Sequence, residues 1–245
     1  MSAGEQFKVL IVIFPGFNTL DMNGPYEVLR KTKQGNAFKV TVASETEITT
    51  STEGVHIKRD VLLDDQLIAK LEDFDILIVP GGTLQHVRQQ CSESDGKFME
   101  LILSYSRLAA RKEDRTRILL SICTGALFLG QLGIFNGRVC TTHWAAYGDL
   151  KARLKIASET SPESKSGTVV AARFADSGLN SHGVRIISSG GVSCGIDACL
   201  WVVRLRCGET EAKTVADSLD YAWRKTEGVV VLDAELEVEK HPDNV

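Results

Sequence analysis

Short apolar runs alternate with amphipathic ones along most of the chain. Phe7 to Phe14, Phe38 to Ala43, Asp75 to Val79 and Arg117 to Ile122 are nearly continuous in apolar residues, which predicts buried parallel strands. Leu20 to Thr32, Ser94 to Lys112 and Cys123 to Leu132 instead space their apolar residues as helices do. The alternation predicts an α/β fold, a mainly parallel sheet with helices on both faces. From Ser158 to Gly191 the composition shifts to Ser, Gly, Asn and Lys around two apolar pieces, Thr168 to Phe174 and Val184 to Ile187. That pattern predicts a long-looped hairpin rather than a linker. Ser193 reads as the N-cap of an apolar helix running from Cys194 to Cys207 and stopping at Gly208, and Glu209 to Lys225 reads as another helix. Beyond Gly228 a short apolar run leads into acidic residues, so residues 228–245 form a tail, either ordered against the body or loosely attached. No internal repeat or low-complexity block interrupts the pattern.

At 245 residues, with 43% hydrophobic and 24% charged residues, the chain suits one domain spanning residues 1–245. A formal net charge of -4 offers no general attraction to nucleic acid or to an anionic membrane. The opening MSAGEQFKVLIVIF has no basic n-region or cleavage site, and no stretch is long and apolar enough for a membrane span. Six cysteines, at 91, 123, 140, 194, 199 and 207, lack the paired spacing of a zinc site and are too sparse for a disulfide scaffold. The expected compartment is therefore reducing and intracellular, the cytoplasm or, in a eukaryote, also the nucleus.

The candidate chemistry sits where apolar strands end in small-residue turns: Pro15-Gly16, Pro80-Gly81-Gly82-Thr83 and Cys123-Thr124-Gly125. In open α/β sheets ligands bind at the carboxyl ends of the strands, so these turns are expected to meet. Cys123 stands at a strand-to-helix turn, a nucleophile elbow, where free helix N–H groups are expected to ease its ionisation. The other five cysteines read as small core hydrophobes. Asp21 lies near the first strand's end, and its two readings are a helix cap and a carboxyl facing Cys123 able to exchange a proton with it. Gly81 and Gly82 are candidate backbone donors to a substrate oxyanion, as are Gly191 and Val192 in the later turn Ser189 to Ser193. His143 in Thr141-Thr142-His143-Trp144 is either a structural imidazole or a base toward the thiol. Cys194, were it close to Cys123, would be a resolving thiol, with burial in its own helix the alternative. No G-x-G-x-x-G opens a βαβ unit, no Walker lysine is present and the remaining histidines form no ligand spacing, so neither nucleotide cofactor nor metal is expected.

Taken together, FPGFNTLDMNGP, DILIVPGGT, SICTGALFLGQLGIFNGRVCTTHWA and SSGGVSCGIDACL resemble the ThiJ/PfpI superfamily, which shares the class I glutamine amidotransferase-like architecture, and within it the isocyanide hydratase branch. The likeness runs from about Val9 to Cys207. It implies a flavodoxin-like three-layer sandwich, assembly as a homodimer, and the reactive cysteine at Cys123. It also implies an acidic partner at Asp21, backbone donors at Gly82 and Thr124, and the family histidine at His143, which is not a dependable base in this branch. Asn23 replaces the branch's threonine, and Val192, Ser193 and Cys194 replace its isoleucine, threonine and alanine; the loop from Ser158 to Gly183 is long. The implied activity is cofactor-independent hydration of a small electrophilic substrate, an isocyanide, to an N-substituted formamide. The alternatives are a glutathione-independent glyoxalase or deglycase acting on methylglyoxal, and a redox or stress sensor oxidised at Cys123. A ligand-sensing half of a regulator is disfavoured, because too little chain follows Gly208 for a DNA-binding helix pair.

Overall fold

The structure, a computed structural model, describes residues 6–32, 37–92, 96–112, 115–160 and 165–231. The chain runs through β1 (Phe7–Val12), α1 (Thr19–Arg30), β2 (Phe38–Ser44), a small hairpin of β3 (Ile48–Thr50) and β4 (His56–Lys58), β5 (Val61–Leu62) and the short α2 (Asp65–Ile68). β6 (Ile76–Val79), α3 (Leu84–Ser92), α4 (Lys97–Ser106) and β7 (Ile118–Ser121) follow. A single 3-10 turn at Cys123–Gly125 then runs into α5 (Ala126–Gln131). The last third comprises β8 (Val139–Cys140), α6 (Tyr147–Glu159), β9 (Thr168–Val169), β10 (Phe174–Leu179), β11 (Arg185–Ser189), α7 (Cys194–Cys207), α8 (Glu209–Ser218) and β12 (Val229–Val230).

The central sheet has the order β12-β10-β11-β7-β6-β1-β2-β5, and within it only β10 and β11 pair antiparallel. The middle order β2-β1-β6-β7-β11 is that of a flavodoxin-like sheet, with its switch point between β1 and β6. α1 packs on α7 and α7 on α8, whereas α5 packs on α6, α4 and α3, so helices cover both faces. The three central strands read as apolar runs because both their faces are enclosed: Val9 to Val12 and Ile76 to Val79 are fully buried. Beneath the turn after β7, the rings of Phe14, Phe98 and Phe128 meet edge to face at 4.9–5.3 Å. Among the described residues no helix is long and apolar enough to cross a membrane.

Four local expectations need correction. Thr168 to Phe174 is not one strand: Thr168–Val169 pairs with β8, and the strand opposite β11 starts only at Phe174. Its continuation was hidden by Asp176, a buried acid that accepts from Arg185 Nε and Trp201 Nε1 and so breaks the apolar pattern. The expected helix from Ser94 to Lys112 is confined to Lys97–Ser106, its expected first residues falling partly outside the described ones. The last helix ends at Ser218 rather than Lys225, because Asp220 takes a left-handed backbone (φ +48) and the Tyr221 N–H turns back to the Ala216 carbonyl. Ser193 precedes α7 but does not cap it with its side chain; its hydroxyl accepts from Arg173 instead. Within the tail, Val229 and Val230 pair with β10, and residues 232–245 lie outside the described ones.

Candidate active site

The turns that follow β1, β6 and β7 converge. Phe17 bridges Gly82, and the Asn18 N–H donates to the Gly81 carbonyl at 2.7 Å. Thr124 locks the second turn to the third: its hydroxyl donates to the Gly82 carbonyl at 2.7 Å and accepts from the Gly82 N–H at 2.8 Å. Position 81 has to be glycine, since a Cβ there would run into the Thr124 side chain and the amides of Thr124 and Gly125.

Cys123 occupies the elbow with φ +57, a left-handed conformation that costs energy in any residue bearing a Cβ. Its surroundings hold it there: the Thr142 hydroxyl donates to its carbonyl at 2.8 Å, and its own N–H donates to the Gly190 carbonyl at 3.2 Å. The side chain is nearly enclosed, with the residue 5% exposed.

Asp21 lies in the first turn of α1 but does not cap it. Asn18 does so, its side chain accepting from the N–H groups of Leu20 and Asp21 at 3.1 Å, while Glu53 accepts from the Thr19 N–H and hydroxyl. The Asp21 carboxyl is thereby left to turn inward, fully buried, with Oδ2 accepting from the Gly81 N–H at 3.0 Å. Oδ1 has no well-formed hydrogen bond. Burial lifts the acid's pKa to about 7; the Gly81 N–H and the Cys123 thiol draw it partly down again, and the Glu53 charge pushes it up.

The thiol does not ionise easily in this setting, contrary to the expectation from its place at an elbow. Burial, then the neighbouring Asp21 charge, push Cys123 up to about 12 against the N–H groups of Val192 and Thr124 and the Thr124 hydroxyl. The helix beyond the elbow is too short, at six residues, to supply much compensating dipole. Cysteine and acid are therefore a coupled pair, with the proton held on sulfur whenever Asp21 is charged.

The remaining candidates fall around this pair in different ways. The Gly81 and Gly82 amides, expected to serve a ligand, are both engaged inside the protein, by Asp21 and by Thr124. Val192, on a strained backbone of its own (φ +45), favours charge on the sulfur through its N–H, and Gly191 lies so close to the His143 ring that a Cβ would collide with it. His143 caps the turn Trp144–Ala146, its Nδ1 accepting from the Ala145 N–H at 3.2 Å. Cys194 is only half-buried, unlike the core thiols Cys140 and Cys199, and Cys91 and Cys207 are half-buried too. It lines a cavity of about 460 Å³ together with Thr142, Trp144, Arg173, Gly191 and Glu227. Thr142 and Glu53 are the participants that motif reading passed over; Thr142 stood beside His143 in a motif read for its imidazole alone. Among the described residues no three His, Cys, Asp or Glu side chains come together as a metal site.

A mainly parallel sheet with a cysteine elbow set against a buried carboxyl defines an α/β domain organised around one thiol. Residues 7–180 match the DJ-1/PfpI family, and the chain belongs to that family. It is 28% identical over 217 residues to the isonitrile hydratase of Pseudomonas putida, covering 88% of this chain and 78% of that protein. Among solved structures it resembles a ThiJ/PfpI family protein from Pseudomonas syringae, with TM-score 0.66 and 19% identity over 89% of this chain and 76% of that one. It also resembles Drosophila melanogaster DJ-1beta, with TM-score 0.64 and 21% identity over 89% of this chain and all of that one. The structural likenesses speak for the fold; the family supports a cysteine-based enzyme or sensor.

Proposed function

We propose that the protein hydrates isocyanides to N-substituted formamides through a thioimidate on Cys123. The observation that carries this reading is the buried Asp21 carboxyl, its pKa raised to about 7 and coupled to the elbow thiol, with Oδ1 left free of any protein hydrogen bond. A carboxylate of that basicity can take the thiol proton as sulfur attacks the terminal isocyanide carbon, and return it to that carbon. The S–C bond forms, the carbon gains the proton, and the product is the thioimidate R–N=CH–S–Cys123. Water then adds to the same carbon, the C–S bond breaks, and the formamide leaves as the thiol recovers its proton. No electron donor or acceptor is required. The N–H groups of Val192 and Thr124, which favour the charged form of the sulfur, stabilise it while the bond forms.

The glyoxalase or deglycase reading needs a competent base at the substrate carbon. His143 is turned to capping a helical turn, which supports the hydratase above it. The sensor reading places oxidation on the same sulfur, and mass spectrometry after mild peroxide that finds oxidation concentrated on Cys123 would favour it. The family likeness implies a homodimer as the working form, and the sparse, unpaired cysteines favour a reducing, intracellular compartment. The deciding experiment presents an aryl isocyanide and methylglyoxal separately to wild type, Cys123→Ala and His143→Ala. Formamide production that vanishes in the cysteine variant and survives in the histidine variant is the expected result; formamide production unchanged in Cys123→Ala overturns the mechanism.

A further inference from the structure

Behind the elbow lies a buried polar cluster that the proposed chemistry does not use. Asp197, in the first turn of α7, is fully enclosed. Its Oδ2 accepts from Arg173 Nε at 2.6 Å and from the Tyr221 hydroxyl at 2.7 Å, and its Oδ1 accepts from the Arg224 N–H at 2.9 Å. Both partners also reach back to one residue, Ser193. Arg173 Nη2 donates to the Ser193 hydroxyl at 3.2 Å, and the Tyr221 hydroxyl lies 3.2 Å from the Ser193 carbonyl oxygen.

Ser193 directly follows Val192. A β-branched residue at φ +45 does not stay there unless something holds it, and the chain is held on both sides of it. On one side Gly190 accepts the Cys123 N–H and donates to the Arg173 carbonyl at 2.9 Å; on the other, Ser193 is gripped by Arg173 and Tyr221. The gripped segment is also the one that holds Cys123: its Gly190 carbonyl accepts the Cys123 N–H at 3.2 Å, and the Val192 N–H favours charge on the sulfur.

We propose that Arg173, Asp197 and Tyr221 form a positioning clamp that keeps Val192 in its strained conformation and so keeps its N–H aimed at the Cys123 sulfur. The clamp rests on the reading of Cys123 as the reactive thiol and concerns how that thiol is tuned. It also ties the site to the chain's far end, since Tyr221 and Arg224 follow α8 and the Arg173 N–H donates to the Glu227 carbonyl at 2.9 Å. None of the three residues is a catalytic residue; they act through Val192.

The test uses variants that leave the buried Arg173–Asp197 pair intact. Tyr221→Phe removes the hydroxyl from both Asp197 and Ser193, and Ser193→Ala removes the hydroxyl that Arg173 holds. Iodoacetamide labelling of the full chain, read at the Cys123 peptide by mass spectrometry as a function of pH, reports thiol ionisation without any substrate. Each variant is expected to slow labelling roughly three- to tenfold at a fixed pH and to move the profile to higher pH. Glycine adopts positive φ without penalty, so in a Val192→Gly background Tyr221→Phe is expected to lose less than about twofold. A variant that melts at lower temperature yet keeps the wild-type labelling profile overturns the clamp, as does an equal loss in both backgrounds. A wild-type Cys123 that does not label at all defeats both the clamp and the cysteine-enzyme reading, whereas a reactive Cys123 indifferent to Tyr221→Phe defeats the clamp alone.

Discussion

Asp21 is an acid kept in a place that disfavours its charge. Folding raises its pKa from 3.8 to about 7, so the folded protein binds more protons than the unfolded chain between those values. The neutral acid's contribution is complete below about pH 4 and is lost as pH rises through about 7. Asp21→Asn carries no charge to bury, so in urea unfolding it is expected to gain on wild type as pH climbs from about 4 to about 8, by up to about 4 kcal/mol. A difference between the two proteins that does not vary with pH contradicts the raised pKa. In the proposed mechanism the same carboxylate governs the rate: below about pH 7 it is protonated while the thiol is too, and nothing accepts the sulfur proton. With an isocyanide substrate, kcat/KM is expected to fall about tenfold per pH unit below about pH 7. Asp21→Asn is expected to lose about 10²- to 10⁴-fold and to lose that acid limb. At this scale the sequence exposed Cys123 and Asp21 by their positions after apolar strands. It misjudged the thiol's ionisation, because burial and a neighbouring charge depend on residues far away in the chain.

The short first turn of α1 decides which way Asp21 points. Asn18 caps the helix, so the acid three residues on is released from that duty and directed toward Gly81 and Cys123. Asn18→Ala is expected to cost about 1 kcal/mol in urea unfolding and, by loosening that turn, to lower kcat with little change in the affinity for substrate. An unaltered kcat in a protein destabilised by that amount means the cap has no part in aiming the acid. Most elements were legible because their periodicity is set by which faces they bury. The strand Phe174–Leu179 was not: it carries Asp176, whose burial is tolerable only because Arg185 on the partner strand and Trp201 on α7 satisfy it. The loop before α7 illustrates the same limit, since nothing local in Gly191-Val192-Ser193 announces a left-handed valine.

Across the whole molecule, three strand ends separated by about a hundred residues form one site because the sheet order places β1, β6 and β7 side by side. The three aromatic rings under the elbow fix the distance between that sheet and the helices on one face, and Phe128→Ala is expected to cost about 3–5 kcal/mol and to lower the melting temperature accordingly. Sedimentation equilibrium is expected to return twice the chain mass, as the family likeness implies; a monomer at working concentrations contradicts the dimer. The order of apolar strands, amphipathic helices and glycine-bearing turns determined the α/β sandwich and the place of the elbow cysteine, because those features follow from local backbone preference and from what each segment must bury. Tertiary structure alone decided that the double-glycine amides serve Asp21 and Thr124, that His143 caps a turn, and that Val192 takes a left-handed backbone beside the elbow. Each of those outcomes depends on which distant groups become neighbours in a space without water, where every donor, acceptor and charge has to find its partner inside the protein.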